Sequence, residues 1–118
     1  MEIIIDETIR CIKPIGKLDA NSCNDLDSAL AALPENNQDV ILDMSRCSYV
    51  SSAGIRILLK AKKKLFASKN ELFITGTVPD VFHVFEIAGL HRVLRFEANV
   101  NAALAIVQAG NRNKPDIT

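Results

Sequence analysis

Two adjacent serines, Ser51 and Ser52, stand where an apolar run gives way to a helical pattern. They sit inside Asp43-Met44-Ser45-Arg46-Cys47-Ser48-Tyr49-Val50-Ser51-Ser52-Ala53-Gly54-Ile55. A hydroxyl at a helix start has two chemical uses. It can accept a hydrogen bond from a backbone N–H that has no partner within the helix. It can also accept a phosphoryl group, which adds about 1.5–2 negative charges and three acceptor oxygens. The helix N-terminus favours such charge by roughly 0.3–1 kcal/mol, so a modified chain should stay folded. The effect should then fall on whatever docks there. Gly54 leaves space for close backbone approach. On spacing alone, cap and phosphoacceptor both remain open for Ser52.

Other reactive side chains form no constellation. Ser51-Ser52-Ala53-Gly54 faintly resembles a nucleophile turn, but the leading glycine of G-x-S-x-G is absent and no base is identifiable for Ser52 or Cys47. His83 and His91 read as surface residues. Cys11, Cys23 and Cys47 match no metal spacing, and they read as packed thiols of a reducing compartment. Gly16 and Gly54 belong to no phosphate-cradling motif. No catalytic residue, metal or cofactor is expected.

The elements that must position the serines follow from hydrophobic periodicity. Ile3-Ile4-Ile5 is a β-branched strand. Thr8 to Ile15 alternates and predicts a second, ending at Pro14 to Gly16. Leu18 to Ser22 opens a helix with Leu26, Ala29, Leu30 and Leu33 on one face, and Pro34 ends it. Glu35 to Asp39 reads as a polar loop. Val40 to Asp43 is a continuous apolar strand of a parallel sheet. After Ser52 comes the longest amphipathic segment, with Ile55, Leu58, Leu59, Leu65 and Phe66 in its stripe. Arg56, Lys60, Lys63 and Lys64 form a solvated face. Lys62 lies within the stripe, its stem expected along the core edge and its amine in water. Ile57 falls away from the stripe and is either an exposed anchor or a stripe-edge residue under a loop. Glu71 to Thr75 is a strand. Pro79 opens a short helix carrying Val81, Phe82, Phe85 and Ala88, stopped by Gly89. Val93 to Phe96 is a strand, and Asn99 caps a last helix. The expected order is β-β-α-β-α-β-α-β-α: one α/β domain over residues 1–110, a small, mostly parallel central sheet with helices, and a polar tail over 111–118.

Composition removes several classes of function. The 118 residues carry 14 basic and 14 acidic side chains, so net charge is zero. That lacks the basic excess of a nucleic-acid footprint. No run of about 18 apolar residues exists, so no membrane insertion is expected, and Ile3-Ile4-Ile5 is too short for a signal core. A cytoplasmic protein is expected.

Gly16-Lys17-Leu18-Asp19-Ala20 before the first helix, Val40 to Ser45 leading to Tyr49 to Leu59, and Phe85-Glu86-Ile87-Ala88-Gly89-Leu90 together resemble the STAS domain of bacterial anti-sigma factor antagonists. The likeness runs from about Glu2 to Leu104. It implies a partner-switching protein, not an enzyme. The unmodified antagonist binds an anti-sigma factor that is also a serine kinase; phosphorylation releases it, and a serine phosphatase resets the cycle. The resemblance puts the phosphorylated serine at Ser52, with Ser51 as second candidate. It implies a partner face of Asp19, Asn21, Ser51, Ser52, Ala53, Gly54 and Ile57. Asp19 also reads as a capping or turn aspartate near the first helix. Many members carry Asp directly before the modified serine, where this chain has Ser51. The alternative is a non-switching STAS scaffold, or a subunit of a membrane-associated transporter or stress-signalling complex. A monomer is expected.

Overall fold

The computed structural model describes residues 1–34 and 38–113, with side chains through residue 110. The elements are β1 (Glu2–Asp6), β2 (Cys11–Leu18), α1 (Cys23–Ala32), β3 (Val40–Asp43), β4 (Cys47–Val50), α2 (Ser52–Ala67), β5 (Leu72–Thr75), α3 (Pro79–Ile87), a single 3-10 turn (Leu90–Arg92), β6 (Arg95–Glu97) and α4 (Val100–Asn113). The strands lie in the order β1-β2-β3-β5-β6, with β4 pairing only to β2. All pairings are parallel except β1 with β2. The α/β domain with a small, mostly parallel sheet is therefore as expected, with one more strand.

β3 is buried along its whole length because both sheet faces are covered there. Successive side chains point to opposite faces. Val40, Leu42, Leu72 and Ile74 join Leu26 of α1, Leu58 of α2 and Val81 and Phe85 of α3 in the main core. Ile41 and Phe73 meet Ala103 of α4 on the other side, with Cys11. Leu58 and Phe85 are fully buried, each contributing about 1.5–3 kcal/mol.

The unforeseen strand, β4, depends on β2. Cys11 and Ile12 pair with β3, whereas Gly16 to Leu18 pair with β4. Pro14 lies between, in the stretch with no partner on that edge, where a missing N–H costs no ladder bond. Gly16, at φ +109°, marks the register shift against β4. The second strand thus runs through Pro14 and Gly16 instead of ending there. It also begins later: Arg10 adopts φ +51° in a turn. Its guanidinium donates to the carbonyls of Pro34 (2.6 Å) and Asp39 (3.1 Å), tying the exit of α1 to the start of β3.

Other expectations change in the same way. Phe66 is 71% exposed. At about 100° per residue it lies about 80° from buried Leu58 and about 120° from buried Gly54, on the outward side of α2, while Leu65 of the same turn packs against the main core. The Lys62 amine is not simply solvated; it pairs with the Glu71 carboxylate. The sixth strand begins at Arg95 because a 3-10 turn occupies Leu90–Arg92. Asn99 caps α4 as expected, its Oδ1 accepting from Ala102 N at 2.8 Å. That helix continues through Gly110 to Asn113, past the expected boundary. Parts of the 35–39 loop and of the polar tail lie outside the described residues.

Candidate functional site

The carboxyl ends of β2 and β4 are adjacent and parallel, with Leu18 opposite Val50. The residues that follow each strand are therefore neighbours. Ser51 N donates to Leu18 O at 2.9 Å, which locks the start of α2 to the end of β2. Gly54 makes this approach possible. A Cβ there would lie 2.7 Å from Leu18 Cγ and 3.0 Å from Leu18 O. The space left by Gly54 is thus filled from within and is closed to an incoming partner.

The two serines divide their tasks. Ser51 has extended backbone and is the N-cap; its Oγ accepts from Gly54 N at 3.5 Å. Ser52 is the first residue of α2 and is exposed. Its hydroxyl makes no hydrogen bond among the described residues. The cap reading for Ser52 is replaced by Ser51, because extended backbone at position 51 aims that side chain back over the first turn. Arg56, one turn along from Ser52, is also exposed. A phosphate on Ser52 would have the helix N-terminus beneath it and a guanidinium at i+4.

Asp19 and Ser22 hold a turn together in front of α1. Asp19 Oδ1 accepts from the backbone N–H groups of Asn21 (2.9 Å) and Ser22 (3.2 Å). Ser22 Oγ accepts from Asp19 N (2.9 Å) and donates to Lys17 O (2.6 Å). The turn reading of Asp19 is correct, α1 itself starting after Ser22 with no side-chain cap bond, and the network holds Ala20 and Asn21 out toward solvent. Asp19, Asn21, Ser51, Ser52 and half-buried Ala53 are thereby gathered on one end of the sheet. Gly54 and Ile57 turn inward: Gly54 is buried, and Ile57 packs half-buried against the main core. The exposed-anchor reading of Ile57 gives way to the stripe-edge one.

Sequence reasoning passed over Tyr49. It is 48% exposed on β4, three residues before Ser52. Cys47 and Val50 point in, while Ser48 and Tyr49 point out. No strand is assigned between Asp43 and Ser52 from periodicity, and this hid the pattern.

Burial pushes the thiol of Cys47 up from its usual range, opposed by hydrogen bonds to the backbone of Tyr49 and Leu18. Its Sγ lies 3.3 Å from Tyr49 O. A protonated, covered thiol is a poor nucleophile. Nothing among the described residues activates the Ser52 hydroxyl. No group of His, Cys, Asp or Glu among the described residues could hold a metal ion. A cavity of about 730 Å³ opens between the C-terminal halves of α1 and α2, beside Leu30, Leu33, Ala61 and Leu65. It lies at the end of α2 away from Ser52. No described helix is long and apolar enough to cross a membrane.

Comparison with known proteins matches this architecture. The STAS domain family model matches residues 1–103. A protein of Bordetella bronchiseptica named as an anti-sigma factor antagonist, BtrV, is 32% identical over 106 residues, covering 89% of this chain and 90% of its own. Among solved structures, the anti-sigma factor antagonist SpoIIAA in its unphosphorylated form superposes with a TM-score of 0.75 at 20% identity, covering 92% of this chain and 97% of that one. A sulfate transporter family protein from Wolinella succinogenes gives 0.79 at 16% identity, covering 93% of each chain. At these identities the structural likeness is one of fold.

Proposed function

The chain belongs to the STAS domain family, and from that premise we propose that it is an anti-sigma factor antagonist working by partner switching. Unphosphorylated, it binds an anti-sigma factor that is also a serine kinase. Phosphorylation of Ser52 releases it, and a serine phosphatase restores binding. The observation that carries this reading is the division of labour at the head of α2. Ser51 is engaged as the cap, while the Ser52 hydroxyl stands exposed and unbonded beside the Asp19–Asn21 loop. The BtrV likeness supports it over nearly the whole chain.

The physical mechanism needs no rearrangement of the antagonist. A phosphate at Ser52 is compatible with the helix N-terminus in the free protein. In the complex it would be stripped of water and pressed against a surface shaped for a hydroxyl. A penalty of about 3 kcal/mol weakens binding more than a hundredfold. The chain is in this reading a kinase substrate, and its thiols and histidines have no catalytic task.

The test is incubation with the anti-sigma factor kinase of the same organism and ATP, read by intact mass and binding. One phosphate should be added to the wild type and to Ser51→Ala, and none to Ser52→Ala. Ser52→Glu should fold and bind weakly. A phosphate that persists in Ser52→Ala but vanishes in Ser51→Ala would move the switch by one residue. Equal binding by wild type and Ser52→Glu would favour a non-switching scaffold.

A further inference from the structure

Helix α2 carries Arg56, Lys60, Lys62, Lys63 and Lys64 and no Asp or Glu. Lys60 bridges to Asp27 at 3.0 Å, and Lys62 pairs with Glu71. Arg56 and Lys63 are exposed and make no ion pair among the described residues. At about 100° per residue, Ser52, Arg56, Leu59, Lys63 and Phe66 fall within a strip about 80° wide on the helix surface. Leu59 is half-buried at its margin, and Phe66 ends it, 71% exposed. The strip begins at the candidate phosphoacceptor and runs about 20 Å along α2.

We propose that this strip is the continuation of the Ser52 docking face and that it receives an acidic helix of the protein partner. The inference rests on the functional reading above and specifies the chemistry of that partner. Arg56 and Lys63 are seven residues, about 10 Å, apart on one line. Carboxylates two turns apart on a facing helix meet both, as interhelical charge pairs do along packed helices. Phe66 supplies an exposed aromatic anchor at the far end of the strip, three residues beyond Lys63. The same geometry gives phosphorylation a second lever. A phosphate at Ser52 pairs with Arg56 at i+4 and withdraws that guanidinium from the partner's carboxylate. Release then combines like-charge repulsion with the loss of an existing contact.

The experiment measures affinity and association rate for the serine kinase that phosphorylates Ser52, at low and high salt. Wild type, Arg56→Glu, Lys63→Glu, Phe66→Ser and Ser52→Glu are compared. Because these side chains are exposed, thermal melts of the four strip and site variants should stay with wild type. Arg56→Glu, Lys63→Glu and Phe66→Ser should each weaken binding about tenfold or more, and the wild-type on-rate should fall with salt. Ser52→Glu should add less than its full effect in the Arg56→Glu background. If Ser52→Glu releases the kinase while the three strip variants bind like wild type at all salt concentrations, the switch stands and this inference falls. If wild type neither binds nor accepts phosphate from the kinase, both fall. Binding to vesicles of phosphatidylcholine with a minority of phosphatidylglycerol, lost in Lys63→Glu and Phe66→Ser while kinase affinity is unchanged, would assign the strip to a lipid surface and overturn the inference.

Discussion

Gly54→Ala tests whether the site is positioned by the contact between α2 and β2. The added Cβ would sit 2.7 Å from Leu18 Cγ, 3.0 Å from Leu18 Cδ2 and 3.0 Å from Leu18 O. Carbon atoms pack without strain at about 3.5–4.0 Å, so α2 must retreat by the better part of an ångström. Leu18 is fully buried and cannot swing aside. Overpacking of this kind costs about 1–3 kcal/mol. Retreat also stretches the 2.9 Å bond from Ser51 N to Leu18 O, at a cost of about 1 kcal/mol. Against this, alanine is favoured over glycine within a helix by about 1 kcal/mol. The net expectation is a loss of about 1–3 kcal/mol, or a melting temperature lower by roughly 4–12 °C for a domain of this size. Thermal and urea unfolding of Gly54→Ala measure it directly. The control is a double-mutant cycle with Leu18→Ala. That change alone costs about 2–5 kcal/mol, but it removes Cγ and Cδ2, leaving the carbonyl oxygen at 3.0 Å as the remaining close contact. In that background Gly54→Ala should cost clearly less than in the wild type. A loss of the same size in both backgrounds would refute the argument that contact with Leu18 excludes a side chain at position 54.

Two further outcomes follow from the site and the core. Ser51→Ala should cost about 0.5–1 kcal/mol in urea unfolding through loss of the cap, whereas Ser52→Ala should leave stability unchanged; equal costs would contradict the division of roles between the serines. Burial, reinforced by Asp43 and Asp6, pushes the Cys11 thiol up from 9.0 to about 11. The unfolded chain therefore ionises first, and stability should be intact below pH 9 and fall as pH rises through about 11. Cys11→Ser should flatten that loss in melts taken across the same window; an unchanged alkaline slope would assign it to other groups.

The site is only partly local. Extended backbone at Ser51 followed by a helical pattern is readable from residue order, and so is the Asp19 turn, since both depend on bonds spanning a few residues. The roles of the two serines are not readable, because which one caps is set by where β4 ends, and β4 exists only by pairing with the far half of β2. Tyr49 was hidden for the same reason. Gly54 was placed on the partner face and Ile57 was left between an exposed anchor and a stripe-edge residue, because a glycine and an off-stripe isoleucine carry no mark of what lies opposite. Leu18, distant in sequence, decides the first, and the main core decides the second. Phe66 was assigned to the apolar stripe, but its helical phase lies with Ser52 and Lys63, turned away from buried Leu58 and Gly54.

Periodicity by itself determined the alternation of strands and helices, the burial of Val40–Asp43 on both sides and the start of a helix at the paired serines. Those features follow from bonds and side-chain directions that repeat every two or 3.6 residues. Tertiary structure decided which strands are neighbours, and with that which loops share an end of the sheet. It placed the Asp19 turn beside Ser52, turned Gly54 inward and left Arg56, Lys63 and Phe66 uncovered. Such outcomes depend on surfaces meeting across long stretches of chain, and no local pattern encodes what a side chain will find on the other side.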